Sequence, residues 1–208
     1  MLRRACGAAT VREICLNLKE AVSKSETYAF YHQELLQVLL GAQPYAALEA
    51  LCGDSAADLD LGISILDQAS QLRRNVFDAI PQADLLSWCD QQPETRYPAV
   101  AADVTAFQPS GNAGRPLWTS TARKLLDKAP DRVEVLKKFI GQFSPTAWAG
   151  SHAAIVESNA KLLDDLAGHP DPALVEFIQE EKTRLSQAIR AERQTETLIE
   201  REMGERFE

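Results

Sequence analysis

The chain has 208 residues, of which 45% are hydrophobic and 25% charged, and a formal net charge of −8. That length can bury a sizeable core, and the acidic balance disfavours nucleic-acid binding, because phosphate contacts need concentrated Lys and Arg. No apolar run approaches the ~20 residues that a membrane span requires, and after the basic opening Met1-Leu2-Arg3-Arg4 the charges of Arg12 and Glu13 interrupt any signal-like apolar segment, so a cytoplasmic location is expected.

Helical periodicity dominates, and nothing alternates apolar and polar residues long enough to argue for a sheet. Val11, Ile14, Cys15, Leu18 and Val22 form one apolar stripe, and Tyr28, Tyr31, Leu35, Val38 and Leu39 form the next. Gly41 and Pro44 then break the chain. Pro44 is placed to open a short helix through Leu51, since its missing N–H is not needed in a first turn. Ser55 is the expected N-cap of the following helix, which bears Leu59, Ile63 and Leu66 on one face and Leu61, Ile65 and Ala69 on another. Apolar residues on two faces predict burial between neighbours.

Further along, Leu85, Leu86 and Cys89 face inward, Asp90 to Pro93 forms a turn, and Val100, Val104 and Phe107 stripe the returning helix. The stretch from Gln108 to Arg115 is a loop; it lacks the spacing and the Lys-Ser or Lys-Thr of a phosphate-cradling loop. Trp118, Ala122, Leu125, Leu126 and Ala129 make a stripe partnered by Val135, Leu136, Phe139, Ile140 and Phe143. A break from Ser144 to Gly150 contains Trp148, and Ser151 is the expected N-cap of a helix carrying Ile155, Leu162, Leu163 and Leu166. His169-Pro170-Asp171-Pro172 is a tight turn that launches the final helix from about Ala173. Leu174, Phe177, Ile178, Leu185 and Ile189 can dock that helix, whereas Arg190 to Thr197 has no large apolar residue and is expected to project into water or toward a partner. Leu198, Ile199, Met203 and Phe207 then resume a small apolar stripe, which suits a tail folded back on the body or a docking helix for another chain.

One phrase recurs along this chain. Leu48 to Cys52, Leu85 to Cys89, Leu125 to Ala129 and Leu162 to Leu166 begin 37, 40 and 37 residues apart. A period in this range means stacked helical hairpins. The expected organisation is a single repeat domain: N-terminal helices over 1–43, repeat hairpins over 44–178 and a projecting or capping charged helix over 179–208.

Residues with chemical potential do not assemble into a known motif. Cys6, Cys15, Cys52 and Cys89 are scattered and read as buried small hydrophobes. His32, His152 and His169 sit on three elements without metal-ligand spacing, and the carboxylate neighbours Asp164-Asp165 and Glu180-Glu181 diverge on a helix. No cofactor, metal site or enzymatic activity is therefore expected. Trp148, Arg190, Arg193, Leu198, Ile199, Met203 and Phe207 are the candidate partner-binding residues.

Asp90, Pro93, Arg96, Ala99 and Ala102 in DQQPETRYPAVAA resemble the turn and second-helix start of a HEAT repeat. The resemblance implies that Asp90 and Arg96 tie successive repeats together. Asp131-Arg132 and Asp171-Pro172 keep the turn but lose the Arg position. The expected fold is an all-α, HEAT-like α-solenoid of antiparallel helical hairpins with a long charged C-terminal helix. A second resemblance spans Leu85 to Glu208: FSPTAWAGS, HPDP and the charged ending ERFE are similar to C-terminal helical regions of large bacterial proteins that join NTPase or effector modules to a repeat domain, several of them associated with phage defence. It implies a helical scaffold that binds protein or senses a ligand, with a protein partner or other domains of a larger protein alongside and homo-oligomerisation open. An acidic antitoxin or immunity-type partner of a basic protein is the alternative, and a HEAT-like DNA glycosylase is a third reading that the acidic charge counts against.

Overall fold

A computed structural model describes residues 7–70, 75–108 and 115–205, the side chains of 200 and 202–205 apart. The described residues are mostly helical, as expected, with one two-stranded sheet that the sequence did not announce. Their contacts divide into two compact units, one through Thr105 together with Ser120–Asp131, the other comprising Ala106–Thr119 and Arg132 onward.

The first unit opens with α1 (Ala8–Ser23), whose Val11, Cys15 and Leu18 are buried at helical spacing. A 3-10 turn (Ala29–His32) leads into α2 (Gln33–Ala42). Of the expected stripe of this segment only Leu39 is buried. Ala29, Leu36, Leu39 and Leu40 are buried, while Tyr28, Tyr31, Leu35 and Val38 face solvent. Both faces are apolar, so periodicity could not choose between them. The choice falls to the face that meets the 3-10 turn Val76–Ala79 and α3.

Pro44 does open α3 (Pro44–Cys52), which packs against α1, α4 (Ala56–Ser70) and α5 (Gln82–Cys89). Ser55 caps α4: its Oγ accepts from the Asp58 N–H at 3.1 Å and donates to Asp58 Oδ2 at 2.7 Å. Contact between α3 and α4 is close enough to require glycine, because a Cβ on Gly62 would lie 2.6 Å from the Leu51 carbonyl oxygen and 2.7 Å from Cys52 Cα. The buried thiols of Cys15, Cys52 and Cys89 are each pushed up to about 12 by desolvation, which makes them inert packing groups.

Helix α6 (Pro93–Asp103) returns along α5 and ends before Val104, so Phe107 does not continue its stripe. Its most consequential residue is Arg96, 1% exposed. Arg96 pairs with Glu49 of α3 at 3.1 Å and Asp54 at 3.7 Å, and donates at 3.0 Å to the Trp88 carbonyl and to Gln91 Oε1. Its guanidinium lies 4.1 Å from the Trp88 ring centroid. Trp88 Nε1 donates to the same Glu49 carboxylate at 2.7 Å, across 39 residues of sequence. Asp90 accepts from Tyr97 Oη at 2.5 Å and pairs with Lys128 of α7 (Ser120–Lys128) at 2.6 Å, 38 residues on. Lys19 pairs with Asp58 at 2.7 Å, again 39 residues apart.

The second unit holds β1 (Phe107–Gln108) and β2 (Leu117–Trp118), antiparallel with Phe107 opposite Trp118. Trp118 therefore begins no helix. Its indole donates to the Leu162 carbonyl at 3.0 Å and its ring sits near Phe139 and Phe143, which pins the hairpin to α8 (Arg132–Gly141). After α9 (His152–Ala160), Lys161–Leu166 is 3-10 rather than α-helical, although Leu162, Leu163 and Leu166 are buried as expected. The Asp171 carboxylate accepts from the N–H groups of Ala173 and Leu174 and pairs with Arg132 at 3.1 Å, once more 39 residues away. It thereby starts α10 (Pro172–Glu205), a single 34-residue helix.

Asp103 is half-buried, its Oδ2 lacks a hydrogen bond among the described residues, and desolvation, helped by the charge of Asp67, raises its pKa from 3.8 to about 7. The folded protein thus holds this proton more tightly than the unfolded chain, and stability falls as pH rises from about 4 through about 7. Replacing Asp103→Asn should flatten that part of the profile and stabilise the fold by about 1–3 kcal/mol at pH 8. Urea unfolding of both proteins at pH 5 and pH 8 checks this; an equal difference at the two pH values would refute it.

Candidate functional site

Helices α8, α9 and α10 enclose a pocket of about 450 Å³ within the second unit. Its floor is apolar, with Ile140, Phe143, Val156, Phe177, Leu185 and Ile189, and its rim carries Lys137, Ser144, His152, Arg184 and Glu192. An apolar cavity of this size with a few convergent polar groups is the usual form of a ligand site.

The segment between α8 and α9 shapes the rim. Gly150 takes φ +83°, and Ser151 then caps α9, its Oγ accepting from the Ala154 N–H at 3.1 Å, as its place in the sequence predicted. That cap sets His152 at the first position of the helix. Ser144 Oγ lies 3.0 Å from His152 Nε2, and Glu192 Oε1 of α10 lies 3.4 Å from His152 Nδ1. The Trp148 ring lies 4.4 Å from the imidazole at 38° and is 52% exposed. Arg184 is held bidentately by Glu181, and Lys137 lies over the Phe177 ring and 3.6 Å from Glu134.

The expectation that Arg190 to Thr197 projects into water or toward a partner holds in part: most of these residues are exposed, but Glu192 and Glu196 are half-buried. This stretch docks on α9 through polar groups. Glu196 Oε2 accepts from Ser151 Oγ at 2.7 Å, Glu196 Oε1 accepts from the Ala153 N–H at 3.1 Å, and Arg193 pairs with Glu157. A carboxylate at a helix N-terminus satisfies orphan amides and meets the positive end of the dipole. Apolar periodicity is blind to such an anchor.

Trp148 thus lies against His152 at the start of α9, and Arg193 is engaged by Glu157. Arg190 is exposed, as are Leu198 at 58% and Ile199 at 50%, and none of them lines the pocket. Phe207 and the side chain of Met203 lie outside the described residues, and Asp90 and Arg96 belong to the other unit. Neither Ser144 nor Glu192 stands out in the sequence as a partner of His152. No short-range spacing links residues 144, 152 and 192; only the fold does.

Among the described residues no cluster of His, Cys, Asp and Glu could hold a metal ion, and no helix is long and apolar enough to cross a membrane. Comparison with family models, curated proteins and solved structures finds no match to the chain.

The Glu196 carboxyl is held below its ordinary value of 4.5, first by the Ser151 hydroxyl and then by the Ala153 amide. A depressed folded pKa means that its contribution is present above pH 4.5 and lost as pH falls through the folded value. Glu196→Gln should increase amide hydrogen exchange at least several-fold in α9 and in residues 190–199 at pH 7, leaving the core of the other unit unchanged. Exchange that does not change in 190–199 would show that the anchor carries nothing.

Proposed function

We propose that this chain is a HEAT-like α-solenoid of antiparallel hairpins that serves as a recognition scaffold for a protein or a small ligand. The observation that supports the repeat reading is the spacing of its side-chain links. Glu49 to Trp88, Asp90 to Lys128 and Arg132 to Asp171 join residues 39, 38 and 39 positions apart, each within its own unit. This step matches the 37 to 40 residues between the leucine phrases. Links that recur with the period are what stacked hairpins need, since each repeat finds its stability in its neighbour.

Two surfaces suit recognition. On the first unit, Tyr28, Tyr31, Leu35 and Val38 expose 40–71% of their area as one apolar band, the kind of surface that marks protein contacts. On the second, the α8–α10 pocket offers an apolar cavity under a polar rim beside the exposed Trp148. The similarity of FSPTAWAGS and HPDP to helical regions of bacterial NTPase and effector proteins makes a sensing or coupling role in phage defence the biological context proposed here.

Ligand-observed NMR with a set of small aliphatic and aryl fragments tests the pocket. Fragments should bind the wild type with sub-millimolar to millimolar affinity and should be displaced by Ala188→Trp, which fills the cavity. No binding to the wild type, or the same binding to the filled variant, would remove the pocket from the proposal.

A further inference from the structure

We propose that the α8–α10 pocket is also a hydrolytic site that cleaves carboxylic esters with an apolar acyl group. Ser144 is the nucleophile, His152 the general base, and Glu192 the positioning residue that orients the imidazole.

The three side chains come from the end of the α8–α9 segment's first turn, the first residue of α9 and the middle of α10, and all three line one cavity. His152 Nδ1 is buried and makes no hydrogen bond among the described residues; the Glu192 carboxylate, 3.4 Å away, is near it but out of hydrogen-bond geometry, and a small turn of its side chain would bring it into line. That carboxylate favours the tautomer with the proton on Nδ1, which leaves the Nε2 lone pair for the Ser144 hydroxyl at 3.0 Å. The Trp148 ring covers one face of the imidazole and limits its rotation. Ser144 itself is exposed, so an incoming carbonyl can reach it, and the apolar floor is the place for the acyl chain. A nucleophile within reach of a base, and a base oriented by a third group, is the general form of an activated serine.

In the acylation step the Ser144 oxygen bonds to the acyl carbon while its proton passes to His152 Nε2, and the carbonyl π pair moves onto the carbonyl oxygen. Collapse restores the C=O bond and breaks the bond to the leaving oxygen, which takes the proton from Nε2 and departs as an alcohol. Water then attacks the acyl-serine, giving a proton to Nε2; collapse releases the carboxylic acid and returns the proton to Ser144. The Ala153 and Ala154 amides at the start of α9 are bonded to Glu196 and Ser151, so they do not form an oxyanion hole. Lys137 and Arg184 are the cations that line the pocket. A site that lacks backbone donors forgoes roughly 10²–10³ in rate, so a slow hydrolase is expected, about 10²–10⁴ above background.

The full chain is treated with a fluorophosphonate and, separately, with p-nitrophenyl butyrate. The proposal predicts covalent labelling mapped to Ser144 by peptide mass and a nitrophenol burst that approaches one equivalent. His152→Ala, with an unchanged circular dichroism spectrum, should slow labelling about 100-fold, and Ser144→Ala should abolish it. Glu192→Gln should lower kcat about tenfold with KM unchanged, the signature of a group acting on the base rather than on binding. A wild type that is unlabelled at Ser144, or labelled at the same rate after loss of His152, overturns the proposal whatever the variants' stability. Fragment binding with an inert Ser144 overturns it alone and leaves the recognition scaffold standing.

Discussion

A guanidinium taken out of water is the constraint around which the first unit is arranged. Arg96 is 1% exposed, and burying such a charge without partners would cost far more than any packing gain. Glu49 and Asp54 supply charge, Trp88 and Gln91 supply oxygen acceptors, and the Trp88 ring supplies a π face. These partners lie on α3, the turn after it, the end of α5 and the turn before α6. One side chain therefore fixes how two hairpins meet. Glu49 accepts from both Trp88 and Arg96, so neither bond can be lost without leaving a buried group unpaired.

The second unit solves the same problem with weaker, more exposed links. Arg132 with Asp171 and Arg115 with Asp165 are part-exposed pairs, each expected to contribute well under the energy of the Arg96 network. Aromatic groups contribute to the packing there, with Phe107 and Trp118 of the small hairpin set against Phe139 and Phe143. The distal half of α10 depends on Glu196 and Arg193 instead of an apolar face. Those same contacts hold α9 in place and so maintain the wall of the pocket that bears His152.

Features set by local chemistry could be read from the sequence. Pro44 as a first-turn residue, Ser55 and Ser151 as caps, and His169 to Pro172 as a turn each follow from a few adjacent residues. Features set by tertiary choice could not. The strands Phe107–Gln108 and Leu117–Trp118 are too short to show alternation, and the bond from the Trp118 indole to the distant Leu162 carbonyl has no local signature. The exposed face of α2 was hidden by its two apolar faces, and Ser144, His152 and Glu192 meet only because α10 lies against α9. Asp90 and Arg96 were noticed through their resemblance to a repeat turn. The structure gives them separate partners, Lys128 one phrase ahead and Glu49 one phrase behind.

The central claim is that polar links recurring with the leucine period couple one hairpin to the next, and that the buried Arg96–Glu49–Trp88 group is the strongest of them. A double-mutant cycle on Glu49→Leu and Arg96→Met, read by urea unfolding at pH 7, tests it most directly. The account predicts that each single change is strongly destabilising, that the double change costs less than their sum, and that the coupling is about 1.5–3 kcal/mol. A coupling below about 0.5 kcal/mol, the additivity of independent sites, would contradict it.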